Sequence, residues 1–124
     1  MWDMHLHSTF SADAKAAPEE QIQRAIALGL DGICFTEHLD YDYPDNPDGT
    51  PHLNWEVDLP RYREAILALK YQYMDRLEIC WGIELGLQPH LAERLRTLTR
   101  NTPFDFVIGS SHLAHGKDVY FREF

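Results

Sequence analysis

A chain of 124 residues is long enough to form one small domain with a buried core. Its hydrophobic fraction of 44% and charged fraction of 25% are typical of globular rather than disordered proteins. The formal net charge of −9 argues against a protein that binds the nucleic-acid backbone, because that function requires clustered Lys and Arg. No apolar run approaches the ~20 residues of a membrane span, and the N-terminus lacks the pattern of a secretory signal, so a cytoplasmic protein is expected.

Four short segments have the pattern of strands, and three helical segments alternate with them. In chain order the strands are predicted at residues 2–6, 32–36, 78–83 and 104–108. The helices are predicted at residues 18–28, from Asp58 to about Arg76, and from Pro89 to just before Thr102. The middle strands are almost entirely apolar, as in parallel sheets that are covered on both faces. The alternation therefore predicts an α/β fold with parallel strands and crossover helices.

A histidine or a carboxylate ends or follows every predicted strand. In chain order these residues are His5 and His7, Glu37 and His38, Glu84, and His112. Ligands of parallel α/β folds gather at the carboxyl ends of the strands. The spacing of His5 and His7 places both imidazoles on one side of a strand, where they can share a metal ion. The set therefore predicts a metal site at this end of the sheet.

Each of these signals also has a simpler interpretation. A His-x-His pair is often incidental, Thr36-Glu37-His38 also fits a helix cap or a loop, and a lone histidine such as His112 is commonly a core residue. Glu84 lies among apolar residues, where an unpaired carboxylate is costly, and either a metal ion or an Arg would offset that cost. Because all four strands deliver such a residue, the metal interpretation is favoured.

These motifs resemble the PHP (polymerase and histidinol phosphatase) superfamily, and within it the histidinol-phosphate phosphatases. That family opens with His-x-His on its first strand, here His5-Leu6-His7, and has a motif after the second strand that is here Thr36-Glu37-His38. A glutamate after the third strand corresponds to Glu84. A histidine after the fourth strand corresponds to His112, in a segment especially like the histidinol phosphatase branch. The resemblance covers the whole chain.

The resemblance implies a centre of up to three divalent ions, namely Zn, Mn or Fe. His5 and His7 would bind one ion, which Glu84 would bridge to a second ion bound by His112. A third ion would be bound by His38 and Asp13. Asp13 stands where relatives often have His, and its oxygen ligand favours Mn or Fe over Zn, although a solvated turn residue also fits this position. Glu84 and His112 would be the catalytic residues.

The same resemblance implies that residues 1–124 are one partial domain. The family forms a distorted seven-stranded (β/α)7 barrel with parallel strands, and this chain contains about four of its β/α units. The remaining ligands of the family, another His and a late Asp-x-His, lie on later strands. The chain is therefore expected to be the N-terminal part of a longer domain, with low activity by itself.

The expected function is metal-assisted hydrolysis of a phosphomonoester, with L-histidinol phosphate as the small substrate and L-histidinol as the product, in histidine biosynthesis. One alternative is a PHP phosphoesterase that acts on nucleotides or nucleic-acid ends. Another is a catalytically silent metal-binding fragment. Neither nucleic acid nor a membrane is the expected partner.

Two further features of the sequence are consistent with this expected function. The long loop at residues 40–57 is interpreted as a substrate-side loop, with Tyr41, Tyr43 and Trp55 as cover for an imidazole ring, although a solvated loop fits equally. Lys117 and Arg122 are candidates for a contact with phosphate.

Overall fold

The computed structural model describes residues 1–121 and is built around one parallel sheet of four strands. Its strands are β1 (Trp2–Leu6), β2 (Gly32–Leu39), β3 (Glu78–Gly86) and β4 (Phe106–Ser110), and each pairs with the next along the chain. Helices α1 (Pro18–Ala27), α2 (Leu59–Gln72) and α3 (Ala92–Asn101) connect them, and a 3-10 turn at Pro89–Leu91 precedes α3. A short antiparallel pair, β5 (Leu113–Ala114) and β6 (Lys117–Asp118), follows β4. The predicted parallel α/β fold is confirmed, and Arg122 lies outside the described residues.

β2 and β3 continue past their predicted ends, because the polar residues there still pair in the ladder. His38 lies opposite Glu84, and Leu39 lies opposite Leu85. Both predicted ligands are therefore within strands rather than in the loops that follow them. This register places His38 and Glu84 side by side at the carboxyl end of the sheet.

β4 begins at Phe106, two residues later than predicted, because the residues before it bond elsewhere. The amide of Phe104 donates to the carbonyl of Thr102 at 2.9 Å, which closes a tight turn. Asp105 pairs with Trp81 instead, its amide donating to the Trp81 carbonyl at 2.9 Å and its carboxylate accepting from the Trp81 amide at 2.8 Å. The parallel ladder with β3 therefore starts only at Phe106.

α2 starts as predicted and ends earlier. The carboxylate of Asp58 accepts from the amide of Arg61 at 3.2 Å and so caps the first turn. The helix ends at Gln72 rather than near Arg76. The amide of Arg76 donates to the carbonyl of Tyr73 at 2.9 Å, so this part of the chain forms a separate turn that leads into β3.

The apolar core is formed by the sheet together with α1, α2 and α3. Nearly every residue of β2 is buried, as expected of a central strand with cover on both faces. The largest fully buried apolar side chains are Trp81, Tyr62, Tyr73, Phe35, Ile22, Ile33, Ile66, Ile79 and Ile83. Among residues 1–121, none of the helices combines the length and the apolar character needed to cross a membrane.

The Tyr62 hydroxyl links α2 to the centre of the sheet, and its removal tests this packing. The hydroxyl oxygen is buried and lies 2.9 Å from the carbonyl oxygen of Phe35 and 2.7 Å from that of Gly82. Tyr62→Phe should lower the free energy of unfolding by about 1–3 kcal/mol, because buried carbonyls lose a donor. Tyr71→Phe on the same helix is the control, since Tyr71 is 79% exposed. Equal midpoints of urea unfolding for Tyr62→Phe and Tyr71→Phe would contradict the role of the Tyr62 hydroxyl in this packing.

Candidate metal centre

The structure brings the six predicted ligands together at the carboxyl end of the sheet. His5 lies in β1, His38 in β2 and Glu84 in β3, while the other three follow strand ends. The full set is His5, His7, Asp13, His38, Glu84 and His112. Because parallel strands all end at the same edge, residues from four different strands reach one place.

Glu84 occupies the middle of this cluster and is buried. Four imidazole nitrogens surround its carboxylate: Nε2 of His5 at 3.1 Å, Nε2 of His7 at 3.0 Å, Nδ1 of His38 at 3.3 Å and Nε2 of His112 at 3.2 Å. The first three face Oε2, whereas His112 faces Oε1. The Ser110 hydroxyl also donates to Oε1, at 2.7 Å. The carboxylate thus has three histidines at one oxygen and His112 with Ser110 at the other.

Asp40 is a member of the cluster that sequence reasoning did not select. Its Oδ1 lies 2.6 Å from Nδ1 of His112, and its Oδ2 lies 3.6 Å from Nδ1 of His38. His38, Asp40 and His112 form a second group of potential ligands beside the group of His5, His7 and Glu84, with ligand atoms inside each group within 4.8 Å of one another. From the sequence alone, Asp40 belongs to the predicted loop. The available signal was its i, i+2 spacing from His38, the same spacing that relates His5 to His7.

Gly86 provides the space that Asp40 occupies. A Cβ atom at this position would lie 2.0 Å from Oδ1 of Asp40, so any larger residue would displace the carboxylate. Asp40 is only 3% exposed, which leaves it little room to move. The lack of a side chain at Gly86 therefore allows the Asp40 carboxylate to lie in its buried position facing His112.

Opposite charges in the cluster alter the pKa values of its members. Burial opposes the ionisation of Glu84, but hydrogen bonds from His112 and the other surrounding groups outweigh it and hold the Glu84 pKa far below its usual range. Burial also opposes ionisation of Asp40, yet the adjacent His112 and His38 lower its pKa. Hydrogen bonds to Asp40 and Glu84 raise the pKa of His112 to about 10. Without a bound metal ion, anionic carboxylates therefore face a protonated His112 at neutral pH.

The donor set fits divalent cations. Three buried side-chain atoms of the cluster make no well-formed hydrogen bond among residues 1–121: Nδ1 of His7, Nδ1 of His38 and Oδ2 of Asp40. The last two lie 3.6 Å apart, and Nδ1 of His38 lies 3.3 Å from Glu84. Buried polar atoms in native proteins nearly always have a partner, so their clustering here calls for one. Imidazole nitrogens and carboxylate oxygens are the ligands that Zn²⁺ and related ions prefer.

Asp13 is one of the two exposed predicted ligands, the other being His5. Its Oδ2 lies 3.3 Å from Nε2 of His38, and its side chain is 40% exposed. The position of Asp13 therefore agrees with the predicted pairing with His38, at the solvent side of the cluster. Among the described residues its contact to the cluster is through His38.

A cavity of about 700 Å³ adjoins the cluster on the side of the loop at residues 40–57. His38 and His112 line it together with the aromatic rings of Tyr43 and Trp55. The Trp55 ring lies edge-on to the His38 imidazole, with ring centres 5.1 Å apart. Two of the three aromatic residues expected to face a substrate are therefore on this cavity.

Tyr41 and Lys117 lie elsewhere. Tyr41 does not line this cavity, because its ring packs under the guanidinium of Arg94 at 3.5 Å. Lys117 lines a smaller neighbouring cavity of about 200 Å³ with Tyr43 and Asp118. The Tyr43 hydroxyl donates to Asp118 at 2.7 Å and so joins the loop to β6.

Comparison with known proteins gives a consistent family match. The family model of the PHP domain matches residues 3–124. The histidinol-phosphatase of Lactococcus lactis is 36% identical over 118 residues, which covers 95% of this chain and 41% of that protein. A protein named as a probable histidinol-phosphatase from Clostridium acetobutylicum is 31% identical over 120 residues, which covers 97% of this chain and 42% of that protein. The chain thus spans about two fifths of the length of these relatives.

A solved structure agrees with the sequence match. The crystal structure of histidinol phosphate phosphatase from Lactococcus lactis, in complex with Zn, L-histidinol and phosphate, superposes with a TM-score of 0.84 at 34% identity. The match covers 94% of this chain and 42% of that one. The fold of this chain therefore corresponds to less than half of the chain of that protein.

Asp40→Asn tests the electrostatics of the cluster in the presence of a chelator. Loss of the carboxylate should lower the pKa of His112 from about 10 toward its ordinary value of 6.5, as measured by NMR titration of the imidazole protons. Because the folded-state pKa lies above the ordinary value, this ion pair stabilises the fold fully below pH 6.5, and the stabilisation is lost as the pH rises through about 10.

The matched control is Asp42→Asn. Asp42 also pairs with a histidine, since its Oδ2 lies 2.9 Å from Nε2 of His90, but both side chains are 57% exposed. This variant should leave the pKa of His112 unchanged. A His112 pKa that is the same in Asp40→Asn as in the wild type would contradict the assignment of Asp40 as its partner.

Proposed function

The chain belongs to the PHP domain family, and from this premise we propose that it carries part of the active site of a metal-dependent phosphomonoester hydrolase. The proposal rests on one observation above all: the buried Glu84 carboxylate between four imidazoles. The proposed substrate is L-histidinol phosphate, and the products are L-histidinol and phosphate. Support comes from the relatives named histidinol-phosphatase and from the L-histidinol and phosphate in the Lactococcus structure.

Two groups of residues would hold the ions. His5, His7 and Glu84 form the first group. His112 and His38 belong to the second, with Asp40 between them and Asp13 at its solvent side. Zn, Mn and Fe all suit this mixture of nitrogen and oxygen donors, and up to three ions are proposed for the complete domain. When bound, such ions activate water and stabilise negative charge on phosphoryl oxygens.

Neighbouring residues orient two of the proposed ligands, the His112 ring and the Glu84 carboxylate. Asp40 lies at Nδ1 of His112, which leaves Nε2 of that ring directed at Glu84. This arrangement fixes the ring and selects its tautomer, as carboxylate partners of metal-binding histidines do in other proteins. Ser110 donates to Oε1 of Glu84 and holds that carboxylate on the other side. His112 and Glu84 are therefore each held by a further residue, Asp40 and Ser110 respectively.

The adjoining cavity suits the organic part of the proposed substrate. Tyr43 and Trp55 provide aromatic surface against which a flat imidazole ring can pack. Asp118 also lines the cavity and gives it an acidic side chain, which would attract the cationic amine of L-histidinol phosphate. The phosphate would then lie at the histidine end of the cavity, beside His38 and His112.

Phosphate release from L-histidinol phosphate by this chain, with added Zn²⁺ or Mn²⁺, tests the proposal. Substitution of a residue that only supports a metal ligand typically lowers affinity or activity by roughly 10- to 100-fold. Glu84→Gln should lower the rate of phosphate release by more than this, because Glu84 is proposed to be a ligand itself. Glu78→Gln is the control, since Glu78 is exposed at the opposite end of the same strand. Excess chelator should stop the reaction in the wild type.

The proposal that residues 1–124 are one part of a larger domain also predicts a difference in turnover rate between this chain and a longer one. The 124-residue chain should turn over far more slowly than a chain extended through the later strands, because fewer protein ligands hold each ion. Full turnover by the short chain would contradict that proposal. Metal binding without phosphate release from either chain would favour a silent metal-binding fragment, and release only from nucleotides would favour the other phosphoesterase class.

A further inference from the structure

Glu37 is a buried carboxylate that the proposed metal centre does not use. It precedes His38 on β2, so its side chain lies on the opposite face of the strand. The side chain is 0% exposed. Within residues 1–121, no Lys, Arg or His nitrogen lies within 4.0 Å of its oxygens. A buried carboxylate without a cationic partner needs hydrogen-bond donors to persist in a fold.

The donors come from the segment that follows β1. The amide of Ser8 lies 2.8 Å from Oε1 and 3.0 Å from Oε2 of Glu37. The Ser8 hydroxyl donates to Oε1 at 2.5 Å, and the Ser11 hydroxyl donates to Oε2. Ser8 and Ser11 are themselves buried. Both carboxylate oxygens are therefore directed at one short segment of chain.

This contact begins where the backbone pairing ends. The ladder between β1 and β2 has an irregular register after Asp3, and its last pair is Leu6 with Phe35. His7 and His38 both lie beyond that pair. Beyond this pair, side-chain contacts rather than ladder bonds connect the end of β1 to the end of β2.

Glu37 provides that connection on both sides of the cluster. Ser8 directly follows His7, so the bonds from Glu37 to Ser8 hold the backbone at His7. The Ser11 hydroxyl, which donates to Glu37, accepts from the amide of His38 at 3.0 Å. Ser11 also begins the turn that leads to Asp13. One carboxylate is thus joined to the backbone beside three predicted ligands.

We propose that Glu37 is a positioning residue that sets the spacing of His7, Asp13 and His38, an inference that rests on the proposed metal-dependent function. The imidazoles of His7 and His38 are stacked, with centres 4.0 Å apart and planes 8° apart. Both approach the same oxygen of Glu84, at 3.0 and 3.3 Å. A small shift between the strand ends changes both distances together.

Glu37→Gln is the sharpest substitution, because it keeps the shape of the side chain. The amide group replaces one acceptor oxygen with a donor, which then faces either Ser8 or Ser11. The Ser8 amide cannot reverse its role, so at least one of the present bonds is lost or rearranged. Binding of Zn²⁺ to the whole 124-residue chain should weaken by about 10- to 100-fold. The visible absorption of bound Co²⁺ should change in position and intensity, which reports the ligand geometry directly.

Two control variants separate positioning from stability. Glu78→Gln makes the same chemical change at an exposed position of the same sheet and should bind both ions as the wild type does. Ile66→Ala opens a cavity in the core at a residue of α2 that is 0% exposed, so it lowers stability and removes none of the hydrogen bonds or ion pairs of the cluster. It should retain the Zn²⁺ affinity and the Co²⁺ spectrum of the wild type under conditions where it is folded. If Glu37→Gln does not fold, Ser11→Ala takes its place, because it removes the link from Glu37 to His38.

The outcomes distinguish this inference from the proposed function. Weaker Zn²⁺ binding by Glu37→Gln, together with an altered Co²⁺ spectrum, supports the positioning role even if the wild type releases no phosphate. Wild-type affinity and spectrum in a destabilised Glu37→Gln or Ser11→Ala would assign Glu37 to stability alone and overturn the inference. A wild-type chain that binds neither ion would overturn it as well.

Discussion

The burial of the Glu84 carboxylate is the constraint on which the arrangement of the centre depends. An ionised carboxylate in an apolar sheet is costly unless it is paired and hydrogen-bonded. Here four imidazoles and one serine hydroxyl surround it, from the ends of the other three strands. The strand register that places His38 opposite Glu84 therefore also brings an imidazole to this carboxylate.

The histidines around Glu84 are held by a second set of carboxylates. Asp40 faces His112 and occupies the space left by Gly86. Glu37, on the other face of β2, is bonded to the segment that follows His7. The two carboxylates flank His38 along the chain and act on different neighbours. The His112 imidazole and the backbone beside His7 and His38 are thus held by packing and hydrogen bonds to residues other than Glu84.

Much of the fold could be predicted from local patterns. Apolar runs of strand length, alternating with amphipathic segments, were sufficient for the parallel α/β fold that is confirmed here. The ends of β2 and β3 were placed too early, because a polar residue at the end of a strand has the same local pattern as a loop residue. The start of β4 was placed too early because the turn at Phe104 and the pairing of Asp105 with Trp81 depend on contacts distant in sequence.

The site was predictable where its residues share a strand or directly follow one. Asp40 was missed because its importance depends on Gly86, which lies on the neighbouring strand, and on His112, which follows a third. Glu37 was part of a recognised motif, but its partners Ser8 and Ser11 become neighbours only after the sheet has formed. No spacing rule within one segment contains that information. The roles of the six predicted ligands in metal binding stay predictions.

X-ray absorption at the zinc edge of the Zn²⁺-loaded chain tests the central claim most directly. The account predicts scattering from at least two imidazole rings with nitrogen at about 2.0–2.1 Å, together with carboxylate oxygen. Glu84→Gln should weaken the oxygen contribution and the affinity together. A first shell of oxygen alone, without imidazole scattering, would place the ion elsewhere on the acidic surface and contradict the assignment of this cluster as a metal centre.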